Sequence, residues 1–278
     1  MPAFQDRDVT SSGVRLRVSE AGEGRPIVLL HGALRDRSTW IRVGERLSGE
    51  FRVVLVDLPG FGDSEKPPPT RYRYGIDAFV EAVTDLHAAL GLSRAALVGH
   101  GLGGCVAVAV AARRPELVSR LVIVNAPLQS TLGSWRSRML TAPLVGGVVV
   151  KQLTGPALFR WAVLDGGAGE AGSIDGVPLI ERYYESFDTP AARGSALATL
   201  RASADVSAVI ADLGRVRAPA LVVWGRHDRV VPAGVGQRVA RELRGAGFEL
   251  VDAGHAPHEE RPAEVAAALG RFLRAERA

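Results

Sequence analysis

Residues 99–104 read Gly-His-Gly-Leu-Gly-Gly. They follow an uncharged, strand-like run, Ala95-Ala96-Leu97-Val98, and precede a run of small and apolar residues from Cys105 to Ala112. Glycines at 99, 101, 103 and 104 weaken any regular element that runs through them. The pattern therefore predicts a strand, a sharp glycine-lined turn, and a helix packed closely on the strand it leaves. Residues 95–112 are apolar enough to raise the question of a membrane span. The four glycines argue against one continuous helix there, and a buried strand-turn-helix accounts for the run.

The rest of the chain alternates in the same way. Val14-Arg15-Leu16-Arg17-Val18 alternates apolar with charged, as a half-exposed strand does. Pro26–Leu30 is a continuous apolar run ending in His31-Gly32, and Arg52–Val56, apolar after its arginine, reads as the next buried strand, ending in Asp57-Leu58-Pro59-Gly60-Phe61-Gly62. Such runs suit parallel strands buried on both faces. Leu121–Val124, Ala220–Trp224 and Phe248–Val251 read as further strands. Ser38–Leu47, Asp77–Leu90 and Pro262–Leu273 read as helices, the second with apolar residues at 79, 83, 86 and 90. Strands alternating with helices predict an α/β fold, a doubly wound and mostly parallel sheet. The interval 128–213 breaks the rhythm. It holds Gly146-Gly147, a glycine-rich stretch at 166–176, Trp135, Trp161, Tyr183, Tyr184 and Phe187. It reads as an inserted helical cap on a core made of residues 1–127 and 214–278.

The chain has 278 residues, enough for one large core plus a lid. Its formal charge is +4, and its basic residues, nearly all arginine, are mixed with Asp and Glu along the chain. No basic block with interleaved aromatics is present, so nucleic acid is not an expected partner. The single cysteine, Cys105, excludes an internal disulfide framework. Residues 1–10 carry Asp6, Arg7 and Asp8 and lack the apolar stretch of a signal peptide. The expectation is a cytoplasmic protein with a small-molecule substrate and no membrane partner; the oligomeric state stays open. His227, Asp228, His255, His258, Glu259 and Glu260 fit no common zinc spacing, so no metal is expected. Gly99, Gly101 and Gly104 match G-x-G-x-x-G, but Asn125 stands where a dinucleotide site wants an acid. No cofactor is expected.

Five features in order carry a resemblance: His31-Gly32, Asp57 through Ser64, residues 99–104, Trp224-Gly225-Arg226-His227-Asp228, and Gly254-His255. From about residue 10 to residue 275 the chain resembles the α/β-hydrolase superfamily in its cap-bearing, serine-hydrolase-like branch. In that family the strand-turn-helix is a nucleophile elbow, small-x-nucleophile-x-small. The resemblance implies a nucleophile at position 101, which here is Gly101. It implies His255 as general base, with His258 as a competitor, and Asp228 as the acid that holds the imidazole. The N–H groups of Leu102 and Ala33 would form the oxyanion hole. His31 and Gly32, with Trp135 and Trp161 from the cap, are expected to line the substrate pocket. His100 is expected to point away from it, and Cys105 lies too far into the helix to replace the nucleophile. Arg136, Arg138, Arg160 and Arg182 are read as solvated surface, with contact to an anionic group as the alternative.

Leu102 after position 101 matches serine members of the family rather than those with an aspartate nucleophile. Three readings stay open. One is a serine hydrolase disabled at its nucleophile, acting on an ester, lactone, thioester or β-diketone C–C bond. A second is a non-hydrolytic enzyme (lyase, cyclase or cofactor-free acid/base chemistry) that uses His255 and Asp228 directly. The third is a ligand-binding protein without catalysis.

Overall fold

The computed structural model describes residues 3–129, 142, 145–164 and 177–275. Among these, eight strands form one sheet: β1 (Gln5–Ser11), β2 (Val14–Ala21), β3 (Arg25–Leu30), β4 (Phe51–Val56), β5 (Ala95–His100), β6 (Val118–Val124), β7 (Ala220–Gly225) and β8 (Gly247–Val251). Their order across the sheet is β1-β2-β4-β3-β5-β6-β7-β8. β2 is antiparallel to both β1 and β4, and every pairing from β4 to β8 is parallel. This is the α/β-hydrolase fold.

The helices are α1 (Ile41–Leu47), α2 (Ile76–Ala89), α3 (Leu102–Arg113), α4 (Val145–Val148), α5 (Pro156–Leu164), α6 (Val177–Phe187), α7 (Pro190–Ala202), α8 (Ser207–Asp212), α9 (Ala233–Glu242), α10 (Pro257–Glu260) and α11 (Pro262–Arg274). The expected helix from Ser38 begins as a 3-10 turn, Arg37–Trp40, because the Asp36 carboxylate accepts the Ser38 N–H and caps it there. α1 then continues from Ile41.

Period-two alternation explains why the strand runs are apolar throughout. Val28, Leu30, Val54, Val56 and Leu97 belong to one apolar cluster with residues of α2, α3 and α9. Ile27, Leu29, Val53, Leu55 and Val98 belong to a second, with residues of α1 and α11. Each such side chain contributes about 1.5–3 kcal/mol on burial. A polar residue on either face would lose that and leave an unpaired group, so neither face tolerates the alternation seen in β2. β2 itself alternates exposed Arg15 with buried Leu16 and Val18. The helices between β6 and β7 have an apolar centre of their own, including Phe159, Ile180, Tyr183, Phe187 and Leu197.

Candidate active site

The parallel strands bring the ends of β3, β5 and β7 to one edge of the sheet, where open α/β sheets bind ligands. At the end of β5 the chain turns at Gly101, with φ 54° and ψ −119°, directly into α3. The turn is held from both sides. The Gly101 N–H donates to the Val124 carbonyl at 3.0 Å, and the Gly103 N–H donates to the His31 carbonyl at 3.1 Å. Three of the four glycines are forced by contact. A Cβ at Gly99 would overlap the Gly103 carbonyl, one at Gly103 would lie 2.5 Å from the Leu30 oxygen, and one at Gly104 would lie 2.7 Å from the Ala126 methyl. Gly101 differs: its Cβ would meet only the Gly32 Cα, at 3.4 Å.

Beside this turn lies a cavity of about 350 Å³, lined among others by Gly32, Ala33, Gly101, Leu102 and His255. Thr199 and Leu200 of α7 and Val206 close it from the side of the inserted helices. Among the described residues, no backbone hydrogen bond uses the N–H of Ala33 or Leu102.

His255 and Asp228 meet at this wall. His255 Nδ1 lies 2.9 Å from Asp228 Oδ2, and the carboxylate is fully buried. Oδ1 of Asp228 accepts the N–H groups of Val230 and Val231 at 2.8 and 2.9 Å. These donors fix which way the carboxylate points. In the tautomer that gives Nδ1–H to Asp228, the ring's lone pair sits on Nε2.

Three groups that the sequence reading did not assign hold this pair. The Asn125 amide nitrogen donates to Asp228 Oδ2 at 2.5 Å, while its carbonyl oxygen accepts the Gly225 N–H at 3.1 Å. Asn125 sits at φ 43°, a conformation that asparagine tolerates better than most side chains. The Glu260 carboxylate accepts the N–H groups of Gly254 and Ala256, on either side of His255, at 2.7 and 3.2 Å. His100 donates from Nε2 to the His255 carbonyl at 2.9 Å. His100 does not point away as expected. It lines the cavity, because its ring packs between His255 and His258 at 5.0 and 4.4 Å.

His258 is not a rival base. It is fully buried, stacks on Trp40 at 4.1 Å and donates to Thr39 Oγ1 at 2.7 Å. Burial holds the pKa of His258 and of His100 well below the ordinary histidine value. Cys105 lines the cavity, but burial pushes its thiol up to about 12, so no thiolate forms at neutral pH.

Two pocket assignments need correction. His31 is fully buried and does not line the cavity. Its Nδ1–H donates to the Gly32 carbonyl at 2.7 Å and its Nε2 accepts the Leu58 N–H at 3.0 Å, which ties the loops after β3 and β4 together. Burial lowers its pKa to about 4, so it is neutral. Trp161 is 49% exposed on α5 and is absent from the cavity wall, because α5 turns Phe159 and Val163 inward instead. Trp135, with Arg136 and Arg138, lies outside the described residues. Arg160 is exposed, and Arg182 pairs with Asp36 and Asp63.

Comparison with known proteins agrees with the fold. The profile of the Alpha/beta hydrolase family matches residues 27–268. The chain therefore belongs to the alpha/beta hydrolase family. A 2-hydroxy-6-oxononadienedioate/2-hydroxy-6-oxononatrienedioate hydrolase of Paraburkholderia phymatum is 33% identical, over 87% of this chain and 85% of that protein. A pimeloyl-[acyl-carrier protein] methyl ester esterase of Chromobacterium violaceum is 32% identical, over 94% of this chain and 98% of that protein. The structure of a thermophilic esterase from Thermogutta terrifontis superimposes with a TM-score of 0.83 at 26% identity, covering 97% of this chain and 98% of that one.

Proposed function

We propose that the cavity takes a small to medium, partly apolar acyl substrate (an ester, lactone, thioester or β-diketone) in a serine-hydrolase site whose nucleophile is replaced by Gly101. His255 is the general base in this reading and Asp228 its acid partner. Ala33 and Leu102 supply the oxyanion N–H groups. Residues 128–213 act as a cap over the core formed by 1–127 and 214–278. The observation that carries the reading is the 2.9 Å His255–Asp228 hydrogen bond at the wall of a cavity that also holds the elbow.

The chemistry follows from which atoms are free. A serine hydroxyl at 101 would lose its proton to His255 Nε2 while its oxygen attacked the acyl carbon. Negative charge would grow on the carbonyl oxygen, where the two N–H groups stabilise it. With glycine there, no acyl-enzyme forms. Loss of a triad serine costs about 10⁶ in kcat in the subtilisin case, while binding and the oxyanion hole persist. The expected behaviour of the natural chain is therefore substrate binding with very slow hydrolysis.

A second reading has an observation of its own. Among the described residues a Cβ at Gly101 would meet only the Gly32 Cα, which leaves room for a water or a substrate oxygen beside the dyad. His255 would then move a proton on the substrate itself, with no covalent step.

The two readings separate on Gly101→Ser. Natural chain and variant are assayed on p-nitrophenyl esters, lactones and β-diketones. The first reading expects hydrolysis from the serine variant, at least about 10³ above the natural chain, given the size of a triad serine's contribution. Silence from both, with the variant still folded, would overturn it and leave direct acid/base chemistry. Under that second reading His255→Ala abolishes turnover of the natural substrate.

A further inference from the structure

Two arginines follow β3 closely, and their surroundings differ. Arg37 has every guanidinium nitrogen engaged: Nε with Ser19, Nη1 with Asp57 and Asp63, and Nη2 with Asp6. It is a structural tie. Arg35 is as deeply buried, at 7% exposure, yet among the described residues it has one partner. Its Nε donates to Glu259 Oε1 at 3.0 Å. That oxygen also accepts the hydroxyl of Thr39 and, at 3.0 Å, that of Tyr183. Neither Nη1 nor Nη2 of Arg35 has a protein partner among the described residues.

Neither nitrogen is among the buried side-chain atoms that lack a partner, so the terminal edge keeps access to solvent. Arg35 lines the same cavity as Gly101, Leu102 and His255. Among the described residues it is the only arginine or lysine that lines the cavity, and much of the remaining described wall is Leu102, Leu200, Val206, Val230 and Val231. The free edge is a planar pair of N–H donors, the shape that meets both oxygens of a carboxylate. Among the described lining residues no second arginine or lysine would balance the second charge of a phosphate monoester.

We propose that Arg35 anchors a carboxylate of the substrate through Nη1 and Nη2, so that the substrate carries one carboxylate besides the group presented to His255. Glu259 orients the guanidinium through Nε and leaves the other edge free. This rests on the cavity being the substrate site, as proposed above.

The test reads binding, so it is independent of turnover. Hexanoate and hexanamide share a shape and differ in charge. Their affinities for the natural chain are measured by calorimetry at low ionic strength. A charge-assisted bidentate contact predicts hexanoate tighter by about tenfold or more. Arg35→Met strands Glu259 and can unfold the protein, so the decisive variant is Arg35→Met/Glu259→Gln, which removes both charges. Its fold is checked by thermal melting. The expected result is loss of the hexanoate preference in this double variant, and tighter hexanoate binding in Glu259→Gln alone. An unchanged preference in the folded double variant would overturn the proposal, since the carboxylate would then sit on the oxyanion N–H groups or on His255. Equal affinities for the two probes in the natural chain would overturn it as well. Failure of Gly101→Ser to hydrolyse anything leaves this result untouched, so the two readings fail separately.

Discussion

At position 101 the backbone sits at φ 54° and ψ −119°, a region that glycine enters freely and other residues enter under strain. In a serine enzyme that strain would be borne to present the nucleophile; here the chain is relieved of it. Gly101→Ser is expected to lower stability by about 1–3 kcal/mol. A urea midpoint unchanged from the natural chain would contradict the strain argument. Asn125 makes the complementary case. It ties the ends of β6 and β7 to Asp228 through both ends of its amide. Asn125→Ala leaves the buried Gly225 N–H unpaired, and the expected loss is about 1–3 kcal/mol with the urea m-value unchanged. A loss within the scatter of the measurement would show that water replaces the tie.

The strand-turn-helix unit behaves as one element because α3 packs on β5 and β3 at backbone contact. Gly103→Ala would drive a Cβ to 2.5 Å from the Leu30 oxygen, with the His31 oxygen at 2.6 Å. Both are backbone and cannot rotate away. Gly101→Ala meets only the Gly32 Cα at 3.4 Å. The expectation is that Gly101→Ala folds, while Gly103→Ala loses more than about 3 kcal/mol or is not recovered folded. Thermal melts of the pair decide it, and comparable midpoints would refute the packing account. The element that escaped the sequence reading was β1. Its first four residues, Gln5 to Asp8, are all exposed, as suits a charged edge strand, and they show no apolar alternation. α9 escaped as well: it buries only Val235, Gly236 and Val239, a stripe too sparse to read against its polar residues.

For the molecule as a whole, buried neutral histidines set the response to acid. Burial lowers His31 to about 4 and holds His100 and His258 well below their ordinary value. In the unfolded chain each takes up a proton near pH 6.5. Below that pH the unfolded state binds more protons, so stability is full above about 6.5 and falls as the pH drops towards 4, by up to about 1.4 kcal/mol per pH unit for each histidine. Asp57, pushed up to about 6 by burial, works in the opposite sense over part of the same range. His87 is lowered by burial too, and four such histidines against one carboxylate predict a net loss of about 3 kcal/mol or more between pH 7 and pH 5. Urea denaturation at the two values measures it. Equal stability at both would mean that these rings are protonated in the folded protein.

The sequence by itself determined the sheet, and it pointed to a glycine turn at 99–104 and to His255 and Asp228, which the fold brings within hydrogen-bond distance. The continuous apolar runs require burial on both faces, and the glycines at 99, 103 and 104 admit no Cβ. The order of the short motifs along the chain matched one family. What it could not determine was which polar groups meet across long separations. Arg35 and Glu259 lie 224 residues apart, and Asn125 and Asp228 lie 103 apart. In sequence Asn125 stands where an acid is wanted, and in the structure it donates to Asp228. Arg35 and Arg37 look alike in sequence. Only the tertiary structure surrounds one with three carboxylates and leaves the other with an open edge in the cavity. Local pattern reports which side chains leave water. Which partner each one finds depends on how distant loops converge at the sheet's edge.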